Sequence, residues 1–414
     1  MSTQPSPTLR ILAVVVFNLL CYLVIGMEMA VVPLFVHLTL GYSAAIAGFA
    51  VSLQYLATLV TRTWAGNRID TGGPKPVVIT GLITGGLSGF LLIAAGYLAA
   101  MPALALTLVL LARVVLGFTE SWIAVGAIMW NISRMGSERT ALVISWNGVT
   151  SYGGIALGAP VATVLFSMHG PGAGFLGGLQ GTGLLTALLL LGGVPFAFRP
   201  AATRPAAQTG PRPSVLSVLR TVLPYGLGLG CGSVGFGAVA SCLVLFYTSR
   251  NWGGAALALA AFGGLFVMMR FVFARYIDRL GGGVIAGISM LLEAVGLIVT
   301  GLAPSPVLAG LGAGLTGAGF SLVFPALGVG AVASAGEASR GAALGGYSIF
   351  LDLAIGLSGP LLGLMARLEG YPSLFFVSAS FAVLGAILSF WLHIGSGRTD
   401  RAVAPRSGGV RNPS

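Results

Sequence analysis

Apolar runs long enough to cross a bilayer occupy most of this chain, at about 11–36, 44–65, 77–99, 103–131, 141–167, 173–198, 217–247, 255–274, 284–303, 306–334, 342–366 and 372–394. A hydrocarbon core of about 30 Å is spanned by roughly 20 helical residues, and each run meets or approaches that length. Soluble domains carry roughly a quarter charged residues; here 56% of residues are hydrophobic and only 7% charged. A soluble fold has no means of hiding that much apolar surface, because surface area does not fall fast enough with size. Lipid leaves backbone groups no partner but one another, so runs of this length are read as helices. The expectation is an all-α membrane protein of twelve transmembrane helices. The first run is too long for a cleaved leader, carries Glu28 and shows no small-x-small cleavage site, so it is expected to remain as the first helix. The 64 glycines suit helix contacts in lipid, where small residues permit close backbone approach.

Charge placement gives the orientation. With the N-terminus in the cytoplasm, sixteen of the 21 Lys and Arg residues fall in inner loops and tails: Arg10, Arg68, Lys75, Arg134, Arg139, Arg199, Arg204, Arg212, Arg220, Arg275, Arg279, Arg340, Arg398, Arg401, Arg406 and Arg411. Arg250 and Arg367 fall outside, and Arg62, Arg113 and Arg270 lie within or at the ends of helices. Both termini are therefore expected inside. The net charge of +11 does not point to nucleic acid, because the basic residues sit in short loops without aromatic interleaving. Cys21, Cys231 and Cys242 lie inside apolar runs, without the spacing of a metal site or a disulfide framework.

The longest polar break, 199–216, is rich in Pro, Ala and Arg and reads as a flexible cytoplasmic linker. It divides the chain into an N-terminal bundle (1–198) and a C-terminal bundle (217–395), followed by a tail from 396 to 414 that reads as disordered. An internal repeat supports the division. Arg62, Ile69, Asp70 and Gly73 recur 208 positions later as Arg270, Ile277, Asp278 and Gly281, and Gly158-Ala-Pro160 is echoed 200 positions later by Ser358-Gly-Pro360. Parallel repeats of this kind make two pseudo-symmetric six-helix bundles with a binding site between them near the midplane.

The segment Gly66-NRI-Asp70-TG-Gly73-P-Lys75 resembles the loop signature of the major facilitator superfamily: Gly, three residues, Asp, a basic residue, any residue, Gly and two basic residues. Thr71 and Pro74 depart from that pattern, and the second copy, Ala274-RYI-Asp278-Arg279-L-Gly281, has lost the first glycine. Arg113-VVL-Gly117-FT-Glu120 is similar to the Arg-x-x-x-Gly element of proton-coupled members, and SYGGIALGAP (151–160) to the Gly-rich, Pro-containing element of antiporters. The run 21–43, with SLQYLATLVTRTWAG and ISWNGVTSYGGIALGAP, looks most like a bacterial sugar and drug efflux subgroup that includes arabinose-exporter-like members. The resemblance implies a monomeric bacterial inner-membrane protein that exports a small polar or amphipathic molecule against protons, with no cofactor. It also implies a latch on the cytoplasmic side built from Gly66, Asp70, Gly73, Lys75, Arg134, Arg139, Asp278 and Arg279. Asp70 would face the start of the eleventh helix just after Arg340, or pair with Arg134 or Arg139.

Ionisable groups at membrane depth are costly and mark function by default. Glu28, Arg113, Glu120, Glu293 and Asp352 qualify. Arg113 and Glu120 lie seven positions apart on one face of a helix, separated by roughly 10.5 Å along its axis, too far to pair directly. Glu28 is an available partner for one of them, and Glu28 or Glu120 is expected to carry the coupled proton, with Arg113 holding the acid ionised. A fixed staple between Arg113 and one acid is the bland alternative. Gln54, Tyr55, Asn131, Trp146, Asn147, Tyr152 and Asp352 are candidates for the substrate cavity, interhelical packing being the competing reading for each. No clustered nucleophile, base or metal set suggests an enzyme, and no Gly-x-x-x-x-Gly-Lys loop suggests an ATP-driven pump. An uncoupled or proton-symport importer stays open, as does, at longer odds, a membrane receptor.

Overall fold

The computed structural model describes residues 7–136, 139–167, 177–203, 215–335 and 340–403. The N-terminal half consists of α1 (Pro7–Leu34), α2 (Ala44–Gly72), α3 (Pro74–Tyr97), α4 (Pro102–Met135), α5 (Thr140–Ser167) and α6 (Gly178–Ala197). The C-terminal half consists of α7 (Val215–Ser249), α8 (Ala255–Phe273), the short α9 (Tyr276–Leu280), α10 (Gly282–Leu302), α11 (Pro306–Phe320), α12 (Val323–Ser334), α13 (Arg340–Glu369) and α14 (Tyr371–Val403). These supply twelve spans of membrane-crossing length and hydropathy; a π-helical turn, Phe35–Thr39, prolongs the first, and α11 with α12 makes up the tenth.

Local chemistry sets the boundaries. Pro74, Pro102 and Pro306 open their helices at the first turn, where the missing N–H costs nothing. Ser43 and Ser305 cap α2 and α11 through bonds from the amides of Ile46 and Leu308, each 3.4 Å.

Three expectations change. The second apolar run ends near residue 65, yet α2 continues to Gly72, so Gly66 and Asp70 belong to its last turns rather than to a loop. Polar Asn67, Arg68, Asp70 and Thr71 are compatible with helix once they emerge from the apolar layer; only Gly73 (φ +83°) separates α2 from α3. The tenth run is broken at Ser321–Leu322. The segment from 396, read as disordered, is helical to Val403, with no proline before Pro405 to stop it; 404–414 lie outside the described residues. Of the linker, 204–214 also lie outside them.

In the first half α1 packs on α5, α3 on α4 and α6, and α2 on α4; in the second, α7 packs on α13 and α14, α10 on α11 and α14, and α8 on α11. The halves meet chiefly through two helix pairs, α2 with α13 and α5 with α8, with smaller contacts of α7 on α1 and α2 and of α1 on α8. Pseudo-symmetry reaches individual contacts. The Cα of Gly117 on α4 abuts the carbonyl oxygen of Gln54 on α2, and Gly317 on α11 abuts that of Phe262 on α8. The same offsets of 200 and 208 relate 117 to 317 and 54 to 262. At both crossings a methyl group would collide with the facing backbone.

Candidate functional site

Helices α1, α2 and α4 converge on two buried polar clusters. In the first, Arg113 Nη1 donates to Glu28 Oε2 at 2.8 Å, with both side chains fully enclosed. Its Nε and Nη2 reach the carbonyls of Ala50 and Val51 at 3.3 and 3.4 Å, so one guanidinium ties α4 to α1 and α2. Glu28 Oε1 has no hydrogen-bond partner among the described residues. The pairing selects Glu28 for Arg113 and leaves Glu120 to other groups.

Glu120 is held wholly by uncharged donors. Tyr22 Oη donates to Oε1 at 3.0 Å, and Gln54 Nε2 (2.7 Å) and Thr58 Oγ1 (3.0 Å) to Oε2. No described Lys or Arg lies within ion-pair distance of it. The Thr58 hydroxyl has one hydrogen and three acceptors in reach, since the carbonyls of Gln54 and Gly117 lie at 3.0 and 3.1 Å. It can donate to an ionised Glu120, or turn to a carbonyl and accept the proton of a neutral one. The cage therefore satisfies both protonation states without moving a helix.

The C-terminal half has a different lining at the equivalent positions. The offsets carry Gln54, Thr58 and Glu120 to Phe262, Phe266 and Phe320. Those rings form one aromatic cluster with Phe236 and Tyr152: Tyr152 stacks on Phe266 with centroids 3.5 Å apart, and Phe236 stacks on Phe262 and Phe320 at 5.4 and 5.6 Å. A polar cluster around Glu120 in the N-terminal half thus corresponds to an apolar aromatic one in the C-terminal half.

Two arginines stand where the halves touch. Arg62 on α2 binds Asp352 on α13, its Nη2 3.0 Å from Oδ1 and 2.8 Å from Oδ2. Arg270 on α8 is 6% exposed; its Nη2 donates to the Ser321 carbonyl at 2.7 Å, in the break between α11 and α12, and its guanidinium lies 5.2 Å from the Phe266 ring centroid.

The other expected cavity residues are placed as follows. Gln54 belongs to the Glu120 cage, Tyr55 meets Phe236 edge-on, Tyr152 lies in the aromatic cluster and Asp352 in the ion pair, so these four gather at the centre. Trp146 packs edge-on against Phe271 at the α5–α8 contact. Asn147 offers its carbonyl to Asn18 Nδ2 (3.1 Å), which also reaches Thr150 and Ser151. Asn131 is fully buried between α4 and α1 and donates to the Ile11 carbonyl at 3.3 Å, away from the central cluster. Glu293 is fully buried beside Gly235 of α7, with neither oxygen hydrogen-bonded among the described residues.

Among the residues expected to form a latch, Lys75 donates to the carbonyls of Phe198 and Pro200 at 2.8 and 2.9 Å, and beside it Trp130 Nε1 donates to that of Ala201 at 2.9 Å, anchoring the start of the linker. Arg134 Nη1 donates to the Arg10 carbonyl at 3.1 Å. Gly66 and Asp70 lie in the last turns of α2, Gly73 at its C-cap, Arg139 just before α5, and Asp278 and the exposed Arg279 in α9. In the Gly-rich element of α5, Gly154 and Gly158 press on the α1 backbone between Leu19 and Met27, which packs α5 on α1.

Tyr22, Thr58, Asn18 and the pair role of Arg62 were not anticipated. The available signal was helical spacing: Thr58 follows Gln54 by four, and Tyr22 follows Asn18 by four, so each pair shares a face.

Comparison with known proteins agrees with this architecture. The sequence profile of the Major Facilitator Superfamily matches residues 14–286 and 255–412. An uncharacterized MFS-type transporter of Burkholderia pseudomallei (strain 1106a) is 46% identical over 395 residues, covering 94% of this chain and 95% of the relative. Another from Pseudomonas aeruginosa (strain UCBPP-PA14) is 44% identical over 393 residues, covering 95% of each. Among solved structures, a bacterial homolog of the human lysosomal transporter Spinster, inward-facing and unoccupied, superposes with a TM-score of 0.71 at 14% identity over 94% of this chain and 97% of that one. The human organic anion transporter MFSD10 superposes at 0.67 with 16% identity over 93% and 100%. Sequence and fold together place the chain in the Major Facilitator Superfamily, as an MFS-type membrane transporter.

Proposed function

We propose that the protein is a proton-coupled exporter of a small polar or amphipathic molecule, a sugar or a drug, working by alternating access in a bacterial inner membrane with both termini cytoplasmic. The observation that carries this reading is the Glu120 cage: a buried carboxyl (3% exposed) that is fully bonded in either protonation state and paired with no cation. A carboxyl in such surroundings can take and release a proton without the cost of stranding a buried charge beside an empty partner. Glu28–Arg113 supplies the fixed scaffold nearby. Gly48 and Gly363 let α2 and α13 approach at the ends away from Arg68 and Arg340, and Ser52 Oγ accepts from the Gly359 amide (2.9 Å) while donating to the Ile355 carbonyl (3.0 Å), which supports an outer gate that is shut here. The latch residues at the other ends of these helices would close when the outer gate opens.

The test uses purified protein in proteoliposomes acidified inside, a pool of sugars, polyols and amphipathic drugs outside, and a lumenal pH dye. Uptake of at least one solute with matching lumenal alkalinisation is expected, and Glu120→Gln should abolish the alkalinisation. Equal solute flux with and without the proton gradient would overturn the coupling.

A further inference from the structure

We infer that the transported molecule carries an acidic group, and that the guanidinium of Arg270 is its binding site. The inference rests on the transport reading above and names the substrate class for the same central region.

The pseudo-symmetry exposes a missing charge. The pair α2–α13 in one half-to-half contact corresponds to α8–α5 in the other. Along these helices the offset of 208 carries Arg62 to Arg270, and the offset of 200, which relates Pro160 to Pro360, carries Tyr152 to Asp352. The Arg62–Asp352 ion pair therefore has as its mirror image Arg270 and Tyr152, which both lie on the ring of Phe266. Tyrosine brings a hydroxyl where the first contact has a carboxylate. Arg270 is left as a cation more than nine-tenths buried with no acidic partner among the described residues, while the other two arginines at depth, Arg62 and Arg113, each have one.

The remaining contacts of Arg270 do not neutralise it. Its one hydrogen bond goes from Nη2 to the Ser321 carbonyl, at the C-terminal end of α11, where the helix dipole offers only a partial negative charge. Nε has no hydrogen-bond partner among the described residues, and Nη1 packs directly against Gly148 of α5, occupying the position a side chain there would take. Nε together with Nη2, which gives one of its two hydrogens to Ser321, forms the side-on edge of the guanidinium, and the unused Nε–H is a charged donor available to a carboxylate, sulfonate or phosphate. Burying an unpaired cation costs several kcal/mol per ion, a penalty an arriving anion would relieve. Because Arg270 bridges α8, α5 and the α11–α12 break, an anion bound there would bear on both halves at once.

The test presents full-length protein in proteoliposomes, with an imposed proton gradient, with a water-soluble extract of bacterial metabolites; the solutes taken up are sorted by mass spectrometry into anions, neutral molecules and cations. Wild type should accumulate anions over empty liposomes, and Arg270→Gln should cut that flux by tenfold or more, at about the 1.5–3 kcal/mol of a charge-assisted bond. Arg270→Lys, which keeps the charge and loses the fork, should fall between. Tyr152→Asp, which restores the missing acid, should suppress anion flux while leaving the melting temperature at or above that of wild type, a check that does not depend on Arg270→Gln folding. Accumulation of neutral or cationic solutes alone, or anion flux indifferent to both Arg270→Gln and Tyr152→Asp, would overturn the inference and leave the transporter standing. No uptake above empty liposomes would overturn the transport reading and this inference with it.

Discussion

At the scale of single residues, the interior separates charges that hold the fold from charges free to work. Glu28 and Arg113 are mutually compensating and fully enclosed, so removing one strands the other. Glu28→Gln should destabilise the protein by about 3–5 kcal/mol, and Glu28→Gln with Arg113→Gln should recover part of that loss, read as thermal melts in detergent. Glu293 is the opposite case. Its two oxygens have no hydrogen-bond partner among the described residues, and an unsatisfied buried polar group costs about 1–3 kcal/mol, so Glu293→Met should melt at or above wild type. Melting well below wild type would show that the carboxyl is bonded in the working protein. The acids and Arg113 were legible in the sequence because ionisable groups stand out against an apolar background. Tyr22 and Thr58 were not, because a hydroxyl in a helix ordinarily bonds its own backbone, as Thr58 does to the Gln54 carbonyl at 3.0 Å. Only the assembled helices show that the same oxygens also reach Glu120.

At the scale of helices, hydropathy located every span but missed how α2 and α14 end and how the tenth span breaks. It cannot see that α2 runs on into its polar signature, since helix propensity does not stop where lipid does, nor that the tenth span breaks at Ser321–Leu322, where Arg270 takes up the freed carbonyl. The signature's two glycines consequently have unequal roles. Nothing lies within 4 Å of a methyl group placed at Gly66, so Gly66→Ala should leave melting unchanged. Gly73 has φ +83° and ψ 164°, a region open essentially to glycine alone, and Gly73→Ala should cost about 1–3 kcal/mol in the same assay. The central crossings are stricter still. Gly117→Ala and Gly317→Ala would each drive a methyl into a facing carbonyl, so both should lower the yield of folded protein, whereas Gly192→Ala, on open helix surface, should not.

At the scale of the molecule, two copies of one design have diverged in opposite directions. The repeated Arg-Asp segment and the Pro160/Pro360 echo made the two halves legible from sequence. The divergence between them was hidden, because comparing Gln54, Thr58 and Glu120 with Phe262, Phe266 and Phe320 means something only once those residues are known to occupy equivalent crossings. The N-terminal half keeps the polar cage, the C-terminal half keeps an aromatic cluster beside an uncompensated arginine, and the two meet along α2–α13 and α5–α8. Rocking of one half on the other would expose this centre to each side of the membrane in turn. Electron-spin distances test that motion without a known substrate. With Cys21, Cys231 and Cys242 replaced, labels go in pairs at Arg68 and Arg220 for one end and at Thr39 and Arg367 for the other. Alternating access predicts that moving between acid and alkaline buffer shortens one distance and lengthens the other, and that Glu120→Gln freezes both. Distances at the two ends that stay fixed, or that widen together, would contradict it.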